Sequence, residues 1–494
     1  MSLPAPSDDD GVDRSAGSRR RVGIVGGGWG GLSLAAWLRG RERIDVSLYE
    51  ASDRVGGKIR TEVVDDYRID WGADMFATRP DAVVRLCERI GVAEPMVEPE
   101  TSRRGAAVVR SGRLRRIPEG FVLARPTRRL PMLTTGLLGP LDKLRLLTEP
   151  FRAVPTDAAD ESVAAFVRRR MGRGVAERIV QPLVGGIYTG DVEKLSMAAT
   201  LGQIRRLERE HGSLHRAARA EADAEDTRDQ SRQSSGARYG GFRSFSDGME
   251  TLPRSVAASL SPGSVCIDAA VDRLVRDGRR WRIEGGAGRR IEGAFDDVVI
   301  ALPPEPAANL LRPHTSVAAT ALNDIESTSA VVVVLAVRRE DIRRNIDYFG
   351  FVVPQRERRD ILAGSFASHK FPGRCPDDEV LIRVFMGGAL RPELNDRDDA
   401  DLIRLASDDL RDLIGWSGMP RLTRVIRWPA SMPNYHVGHL DRVRTIETAI
   451  ETVPGLHLLT NAVGGVGIAP VCVAAERLAD RLAAVWGGGR DVCP

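Results

Sequence analysis

The chain has 494 residues, enough for two or three domains with a large apolar core. Its hydrophobic fraction of 42% is ordinary for a soluble globular protein, and an aromatic fraction of 5% argues against a surface that stacks nucleic-acid bases. The net charge is +4, with 72 basic residues offset by 68 acidic residues along the whole chain. We therefore expect no nucleic-acid partner, whereas a slightly basic protein suits an anionic substrate or a membrane surface.

The first twenty residues are polar and rich in Ser, Asp, Gly and Arg, which predicts a disordered tail over residues 1–20 and no signal peptide. No apolar run reaches the roughly 18 residues that cross a bilayer. The 5 cysteines are scattered without a CxxC pair, which favours reduced thiols and a cytoplasmic location. The pairs His211/His215 and His436/His439 have no acidic third ligand nearby, so we predict no metal site.

A strand–turn–helix pattern follows the tail. The apolar run at residues 22–25 leads into Gly26-x-Gly28-x-x-Gly31 and then into a helical pattern at residues 32–38. Gly26 permits a tight turn, Gly28 lets the backbone approach a pyrophosphate, and Gly31 lets helix and strand pack closely. The helix N-terminus presents free N–H groups and a partial positive charge to the phosphates. This order is typical of a dinucleotide-binding βαβ unit.

A second strand pattern at residues 46–49 ends on Glu50, whose carboxylate is placed to accept hydrogen bonds from a ribose. Residues 54–58 (RVGGK) come next, and their glycine pair lets the backbone pass close to a large ligand. Nicotinamide dehydrogenases do not usually need this second turn, whereas enzymes that bury an extended FAD do. The sequence therefore predicts FAD as the cofactor.

The middle of the chain divides into blocks of different pattern. Residues 114–210 are mostly helical in pattern, and residues 264–302 are strand-like. The run at residues 330–337 (AVVVVLAV) predicts a buried strand. Residues 217–243 are polar and predict a solvated loop or a short helix between domains.

A third glycine-rich turn lies near the end of the chain. Residues 445–486 predict a helix, a short strand, the turn Asn461–Ile468 (NAVGGVGI) and a final helix. Such a turn can place another helix N-terminus against an anion or a polarised ring. The first and last segments would then build one cofactor domain, with the middle of the chain inserted as a substrate domain.

Longer motifs are more specific than the glycine turns. They are residues 50–59 (EASDRVGGKI), 181–191 (QPLVGGIYTGD), 208–214 (EREHGSL), 428–439 (WPASMPNYHVGH) and 465–468 (GVGI). With these motifs the sequence resembles the FAD-dependent protoporphyrinogen and coproporphyrinogen oxidases, within the amine-oxidase and phytoene-desaturase superfamily. The resemblance runs from about Val22 to Leu482. The central motifs recur in the porphyrinogen oxidases and not in amine oxidases generally.

The resemblance implies an α/β fold, α+β in its substrate part. A Rossmann-like FAD-binding domain would be built from N-terminal, middle and C-terminal segments, with an inserted substrate domain and a helical domain that could face a membrane. The implied boundaries are 21–88, 237–308 and 440–486 for the FAD-binding domain, 89–113 and 309–439 for the substrate-binding domain, 114–212 for the helical domain and 213–236 for a polar loop.

The resemblance also implies cofactor contacts, position by position. The first glycine turn would hold the pyrophosphate, Glu50 would bind the ribose, and Lys58 would reach the cofactor from the second turn. The flavin would carry the chemistry, with no catalytic side chain. Arg79 is the candidate to hold a substrate propionate through a bidentate guanidinium contact. The implied cofactor-binding set is Gly26, Gly27, Gly28, Trp29, Gly30, Gly31, Glu50, Ala51, Lys58, Gly72, Ala73, Asp74, Met75, Val271, Trp428, Val466, Gly467 and Ile468.

The reaction that the resemblance implies belongs to heme biosynthesis. A porphyrinogen, either coproporphyrinogen III or protoporphyrinogen IX, would lose six electrons in three two-electron steps, with dioxygen as acceptor and hydrogen peroxide as by-product. The expected partners are thus a tetrapyrrole and dioxygen, and we favour coproporphyrinogen slightly. The segment Leu137–Phe151 lies in the block that related enzymes use against bilayers, so it is either a peripheral membrane contact or a buried helix pair.

Two other function classes stay open. One is another FAD oxidoreductase of the same fold, such as a carotenoid desaturase or an amine oxidase. The other is a non-catalytic scaffold of the FAD fold. The second alternative arises because residues 71–75 (WGADM) replace the family's Arg-Gly-Pro-Asp-Ser, and because the closing motif is followed by residues 469–472 (APVC) instead of the family's Pro-Asp-Cys.

Overall fold

The computed structural model describes residues 19–92, 94–103, 105–155, 159–226, 241–286 and 293–487. The predicted tail therefore lies outside the described residues except at its end, where Arg20 already begins the first strand. The polar stretch predicted at residues 217–243 begins as a helix that continues to Asp226, and most of the remainder, like Cys493, lies outside the described residues.

The strands alternate with helices in the first and last parts of the chain and cluster in its middle. Their bounds are β1 (Arg20–Val25), β2 (Ile44–Tyr49), β3 (Thr61–Val64), β4 (Tyr67–Asp70), β5 (Phe76–Ala77), β6 (Met96–Val97), β7 (Ala107–Arg110), β8 (Arg113–Arg116), β9 (Phe121–Val122), β10 (Arg125–Pro126), β11 (Phe242–Phe245), β12 (Val265–Cys266), β13 (Val271–Asp277), β14 (Arg280–Gly285), β15 (Asp297–Ile300), β16 (Ser327–Arg338), β17 (Gly350–Val352), β18 (Ile361–Phe366), β19 (Glu379–Gly387), β20 (Leu422–Pro433) and β21 (Leu456–Leu458).

The helices are concentrated between residues 129 and 226 and at the end of the chain. Their bounds are α1 (Trp29–Leu38), α2 (Ala82–Ile90), α3 (Arg129–Thr134), α4 (Pro140–Leu147), α5 (Val163–Met171), α6 (Arg173–Val175), α7 (Gln181–Tyr188), α8 (Met197–His211), α9 (Leu214–Asp226), α10 (Thr251–Ser259), α11 (Pro304–Leu311), α12 (Ser316–Asn323), α13 (Ala367–Lys370), α14 (Asp399–Ile414), α15 (His439–Glu451) and α16 (Ile468–Gly487). A π-helical segment, Ala176–Val180, precedes α7.

Five parallel strands form the first sheet, in the order β12-β2-β1-β15-β21. The central strand β1 is apolar on both faces because both faces are covered by helices. Val22 and Ile24 pack with α1 and α16, while Val25 packs with α11, α12 and α15. The sheet takes strands from the beginning, the middle and the end of the chain, which confirms the predicted assembly of the FAD-binding fold.

The second sheet has seven strands in the order β20-β16-β19-β18-β17-β7-β8, and all its pairs are antiparallel except β17 with β7. Alternate side chains of each strand point to opposite faces. One face, with Val331 and Val333, packs on α14. The opposite face, which we call the inner face, carries Val332 and Val334 of β16 beside Trp71, and Val108 of β7 against the helices. The strand predicted at residues 330–337 is β16.

Helices α4 to α8 form a separate apolar cluster over the β7 and β17 end of the inner face. The helix α5 begins at Val163 because the Ser162 hydroxyl accepts a hydrogen bond from the Ala165 N–H at 3.1 Å, and it ends at Met171, with Gly172 as its C-terminal cap. The motif at residues 208–214 stabilises this cluster, since the buried Glu208 carboxylate pairs with the Arg170 guanidinium at 3.2 Å. Ser213 donates its hydroxyl to Glu149, which pairs with the same arginine. Residues 208–214 therefore link α8 and the N-terminus of α9 to α5 through buried charged side chains.

Candidate active site

The first glycine turn lies between β1 and α1. A Cβ atom at Gly26 would lie 2.5 Å from the Ala301 carbonyl oxygen, and one at Gly31 would lie 2.0 Å from the Gly26 carbonyl oxygen. Both positions therefore exclude any other residue. At Gly28, by contrast, an added Cβ would meet no atom of the described residues within 4 Å. The backbone of Gly28 thus faces open space at the N-terminus of α1, where a pyrophosphate fits.

The second glycine turn packs directly on the first. The Gly56 N–H donates to the Gly27 carbonyl at 2.8 Å, and a Cβ at Gly57 would lie 3.1 Å from the Gly28 Cα. Glu50 joins the two turns to β2. One of its carboxylate oxygens accepts from the Gly27 N–H at 2.7 Å, and the other accepts from the Ser52 hydroxyl at 2.7 Å. The second oxygen also accepts from the Ser52 N–H at 3.0 Å, whereas the oxygen that accepts from Gly27 keeps a second lone pair, so Glu50 can still accept from a ribose.

The expected adenine end lies beside Glu50. The Ala269 N–H donates to the Glu50 carbonyl at 2.8 Å, and the Asp268 N–H donates to the Ser52 carbonyl at 3.0 Å. These bonds bring the start of β13, where Val271 is half-buried, next to the exposed Ala51. The structure thus places Glu50, Ala51 and Val271 together, although they are far apart in the chain.

The C-terminal turn closes the site from the other side of α1. The Trp29 indole N–H donates to the Ile468 carbonyl at 2.9 Å, so the N-termini of α1 and α16 adjoin. A Cβ at Gly30 would make ordinary contact with Val471 at 3.6 Å. Gly467 has a φ of 111°, which strongly favours glycine, and it follows Val466 immediately before α16. Two glycine-rich turns and two helix N-termini therefore meet in one place.

The flavin-side loop, residues 72–75, links the cofactor end to the seven-stranded sheet. A Cβ at Gly72 would lie 2.3 Å from the Lys58 carbonyl oxygen, so only glycine fits there. The Trp428 indole N–H donates to the Trp71 carbonyl at 3.1 Å. The Lys58 ammonium group donates a hydrogen bond to the Ser431 carbonyl, and burial lowers the pKa of Lys58 to about 8. Lys58 and Trp428 therefore both connect β20 to this loop.

The flavin-side loop is held by a buried ionic cluster that the sequence reasoning missed. Asp74 pairs with Lys370 at 2.8 Å and with Arg383 at 3.0 Å, and all three side chains are buried. Burial alone would raise the pKa of Asp74, but Lys370 and Arg383 together lower it. Arg383 also donates to the Gly72 carbonyl. One signal was present in the sequence, because Arg383 interrupts the apolar strand run of residues 380–386.

The other predicted positions lie around this loop. Ala73 and Met75 are half-buried, beside the buried Asp74. Arg79 lies two residues after β5 and is exposed, and no hydrogen bond or ion pair joins its side chain to the residues that the structure describes. Its assignment to a substrate propionate stays a prediction. The assignments of the cofactor-binding residues stay predictions as well, although the fold brings them to one region.

The residues present fit an extended dinucleotide. The open backbone at Gly28 and the two helix N-termini suit a pyrophosphate, and Glu50 suits a ribose. The flavin-side loop lies against Lys58 and the inner face of the seven-stranded sheet. Such an arrangement can hold a flavin between its dinucleotide site and a substrate surface. Among the described residues, no group of three His, Cys, Asp or Glu side chains could hold a metal ion.

Comparison with known proteins agrees with this geometry. The family described as flavin containing amine oxidoreductase matches residues 29–483. A coproporphyrinogen III oxidase of Bacillus subtilis (strain 168) is 30% identical over 92% of this chain and 96% of its own length. The enzyme of the same name from Staphylococcus aureus (strain NCTC 8325 / PS 47) is 32% identical over 93% and 98%.

A solved structure from Exiguobacterium sp. 255-15, provisionally named a protoporphyrinogen oxidase, has a TM-score of 0.81 and 27% identity, covering 95% of this chain and 99% of its own. The fold and the family both identify FAD as the cofactor. Two turns that can cradle a dinucleotide, a match along nearly the whole chain and end-to-end relatives lead to one assignment. The chain belongs to the flavin containing amine oxidoreductase family, and within it to the relatives of the porphyrinogen oxidases.

Proposed function

We propose that the protein oxidises a porphyrinogen to the porphyrin in heme biosynthesis, with dioxygen as acceptor and coproporphyrinogen III favoured over protoporphyrinogen IX. The observation that carries this proposal is the end-to-end similarity to two enzymes named coproporphyrinogen III oxidase, at 30% and 32% identity. No observation on this chain favours an amine or a carotenoid as substrate.

The inner face of the seven-stranded sheet offers a surface for a large, mostly apolar ring. Phe385 of β19 and Val352 of β17 are only half-buried there, and Tyr188 at the end of α7 is half-buried beside them. Neighbouring strands are about 4.8 Å apart, so these side chains cover a broad platform rather than a narrow slot. The platform begins at the flavin-side loop, where Arg383 holds Gly72.

The residues of the site bind and orient the cofactor and the substrate, and they need not form a covalent bond to the substrate. Bound FAD supplies two-electron redox chemistry, so loss of six electrons requires about three rounds and about three dioxygen molecules. Asp74, Lys370 and Arg383 fix the loop against which the substrate would lie. Rigid placement of this kind can contribute much of the rate enhancement when the cofactor carries the reaction.

The test is direct. The purified, FAD-loaded protein should convert coproporphyrinogen III in air to a fluorescent porphyrin, with about three hydrogen peroxide molecules per porphyrin. Protoporphyrinogen IX should react with a lower kcat/KM. If the protein holds FAD and oxidises neither porphyrinogen, the substrate assignment is wrong and another oxidation within the same fold takes its place.

We also propose peripheral contact with a membrane through α3, α4 and the turn that follows α4. No helix in the described part of the chain is long and apolar enough to cross a membrane. Four large apolar side chains nevertheless face solvent close together in the sequence, with exposed fractions of 71% for Leu130, 82% for Leu141, 60% for Leu144 and 85% for Phe151. Arg145 is exposed on the same helix and suits anionic headgroups.

Flotation with vesicles tests this contact. The parent protein should float with vesicles that contain anionic lipid, and the double variant Leu141→Glu, Phe151→Glu should remain at the bottom. Met419→Glu is the matched control, because Met419 is 78% exposed but lies elsewhere in the chain. Equal flotation of the parent and the double variant would show that these side chains do not contact lipid.

A further inference from the structure

A basic pocket lies where the end of β7, the loop after β17 and the helical cluster meet. Its volume is about 320 Å³.

 Three guanidinium groups, those of Arg110, Arg178 and Arg356, line the pocket together with the apolar side chains of Leu137 and Pro354. A pocket of this composition suits an anionic group attached to an apolar body.

The positive charge of the pocket is only partly neutralised. Arg178 pairs with Asp142 at 2.6 Å, and Arg356 pairs with Glu177 at 3.6 Å. Among the described residues, no hydrogen bond or ion pair joins the half-buried Arg110 side chain to a partner.

The acidic residue that lines the pocket does not supply the missing partner. The Glu357 carboxylate accepts from the backbone N–H groups of Ser111 at 3.0 Å and Gly112 at 3.1 Å. Burial lowers the pKa of Arg110, and the nearby Arg178, Arg115 and Arg356 lower it further. A bound anion would relieve this repulsion between like charges.

The pocket lies on the same face of the sheet as the proposed substrate platform. Val108 points to the inner face, and Arg110 follows it by two residues in β7, so both side chains point to that face. Three strand spacings separate β19, which carries Arg383 and Phe385, from β7, a distance of about 14 Å. A tetrapyrrole with propionate arms extends over a comparable distance.

We propose that Arg110, with Arg178 and Arg356, forms a carboxylate-binding subsite for a propionate of the tetrapyrrole, at the end of the inner face away from the flavin-side loop. This assignment rests on the proposed function. Guanidinium groups bind carboxylates through paired, charge-assisted hydrogen bonds, which are stronger than neutral ones. A subsite of this kind favours the porphyrinogen with more carboxylates, because vinyl groups cannot make these bonds.

Binding of oxidised coproporphyrin to the FAD-loaded protein tests the subsite without turnover. Arg110→Gln should raise the Kd of coproporphyrin by about tenfold or more, as expected for loss of a charged hydrogen bond. Arg110→Lys should recover part of the affinity, and Arg356→Gln should have a smaller effect, because Arg356 is 48% exposed. Arg312→Gln removes one exposed charge beyond α11 and should bind like the parent.

Citrate binding, measured by calorimetry, distinguishes the source of the carboxylate. If Arg110→Gln weakens citrate binding but leaves coproporphyrin binding unchanged, the pocket takes a free carboxylate and the substrate subsite is refuted. If neither ligand responds to Arg110→Gln, the carboxylate site itself is refuted. Arg110-dependent binding of coproporphyrin by a protein that oxidises no porphyrinogen would support the subsite while refuting the proposed function.

Discussion

Two adjoining parts of the site are built by opposite means. At the dinucleotide end, backbone atoms form the surface: a Cβ atom at Gly26 or Gly31 would clash with neighbouring backbone, whereas Gly28 faces the open space that is predicted to take the pyrophosphate. At the flavin-side loop, charged side chains form the support, and Asp74 is enclosed by Lys370 and Arg383. The first part therefore depends on glycines, which have no side chain, and the second depends on three charged side chains that must all be present.

The difference determines how each part should fail. A glycine that faces open space can be replaced without unfolding the protein, but the ligand loses its place. A member of a buried ion pair cannot be removed without leaving its partner charged and unpaired, which is costly even where the intact pair contributes little net stability. The first change should therefore act mainly on FAD binding and the second mainly on the free energy of unfolding.

The largest effect is expected at Asp74. Asp74→Asn removes the carboxylate that pairs with the buried Lys370 and Arg383, and it should lower the free energy of unfolding in urea by about 3–5 kcal/mol. Asp408→Asn is the matched control, because Asp408 pairs with arginines while 55% exposed and should change stability by less than about 0.5 kcal/mol. Equal effects of the two substitutions would show that the buried cluster does not stabilise the loop.

The ion pairs of Asp74 also predict how the free energy of unfolding depends on pH. Lys370 and Arg383 lower the pKa of Asp74 in the folded protein, against the effect of burial, whereas the unfolded chain has an aspartate pKa of about 3.9. The stabilisation from this ionised carboxylate is therefore complete above about pH 3.9 and is lost as the pH falls through the folded-state pKa. The stability difference between parent and Asp74→Asn should therefore stay nearly constant from pH 7 to pH 5 and shrink only as the pH falls below about 4. A difference that already shrinks well above pH 4 would contradict the lowered pKa.

The next effect is expected at Gly28. Gly28→Val places a branched side chain in the space expected for the pyrophosphate, and it should weaken FAD binding by at least about tenfold while most of the stability persists. Flavin absorbance after gel filtration and urea unfolding measure the two quantities. Gly202→Val is the control, since Gly202 also faces open space but lies in α8. Normal FAD occupancy in Gly28→Val would show that the turn does not approach the cofactor.

The contrast also explains how far the sequence could predict the site. The first two glycine turns and Glu50 lie within residues 26–57, and strand and helix periodicity surrounds them, so local patterns predicted that part and the FAD fold. Asp74 is 296 residues from Lys370 and 309 residues from Arg383 in the chain, and no local pattern predicts which charged side chains will form ion pairs.

The substrate end was harder to predict for the same reason. Arg110, Arg178 and Arg356 come together only because β7 and β17 pair in parallel beneath the helical cluster. With 72 basic residues in the chain, composition could not select these three. The sequence prediction therefore named one arginine near the flavin-side loop, and a cluster farther along the sheet became visible only in the fold.

The smallest effect on stability is expected at that first candidate, Arg79. Its side chain is exposed, so Arg79→Ala should change the free energy of unfolding by less than about 0.5 kcal/mol. If its guanidinium holds a propionate remote from the reacting carbon, the substitution should raise KM severalfold and leave kcat nearly unchanged. Steady-state porphyrin fluorescence in air, with coproporphyrinogen III as substrate, measures both constants. Parent-like constants would make Arg79 an ordinary surface residue and leave the basic pocket around Arg110 as the carboxylate site to test.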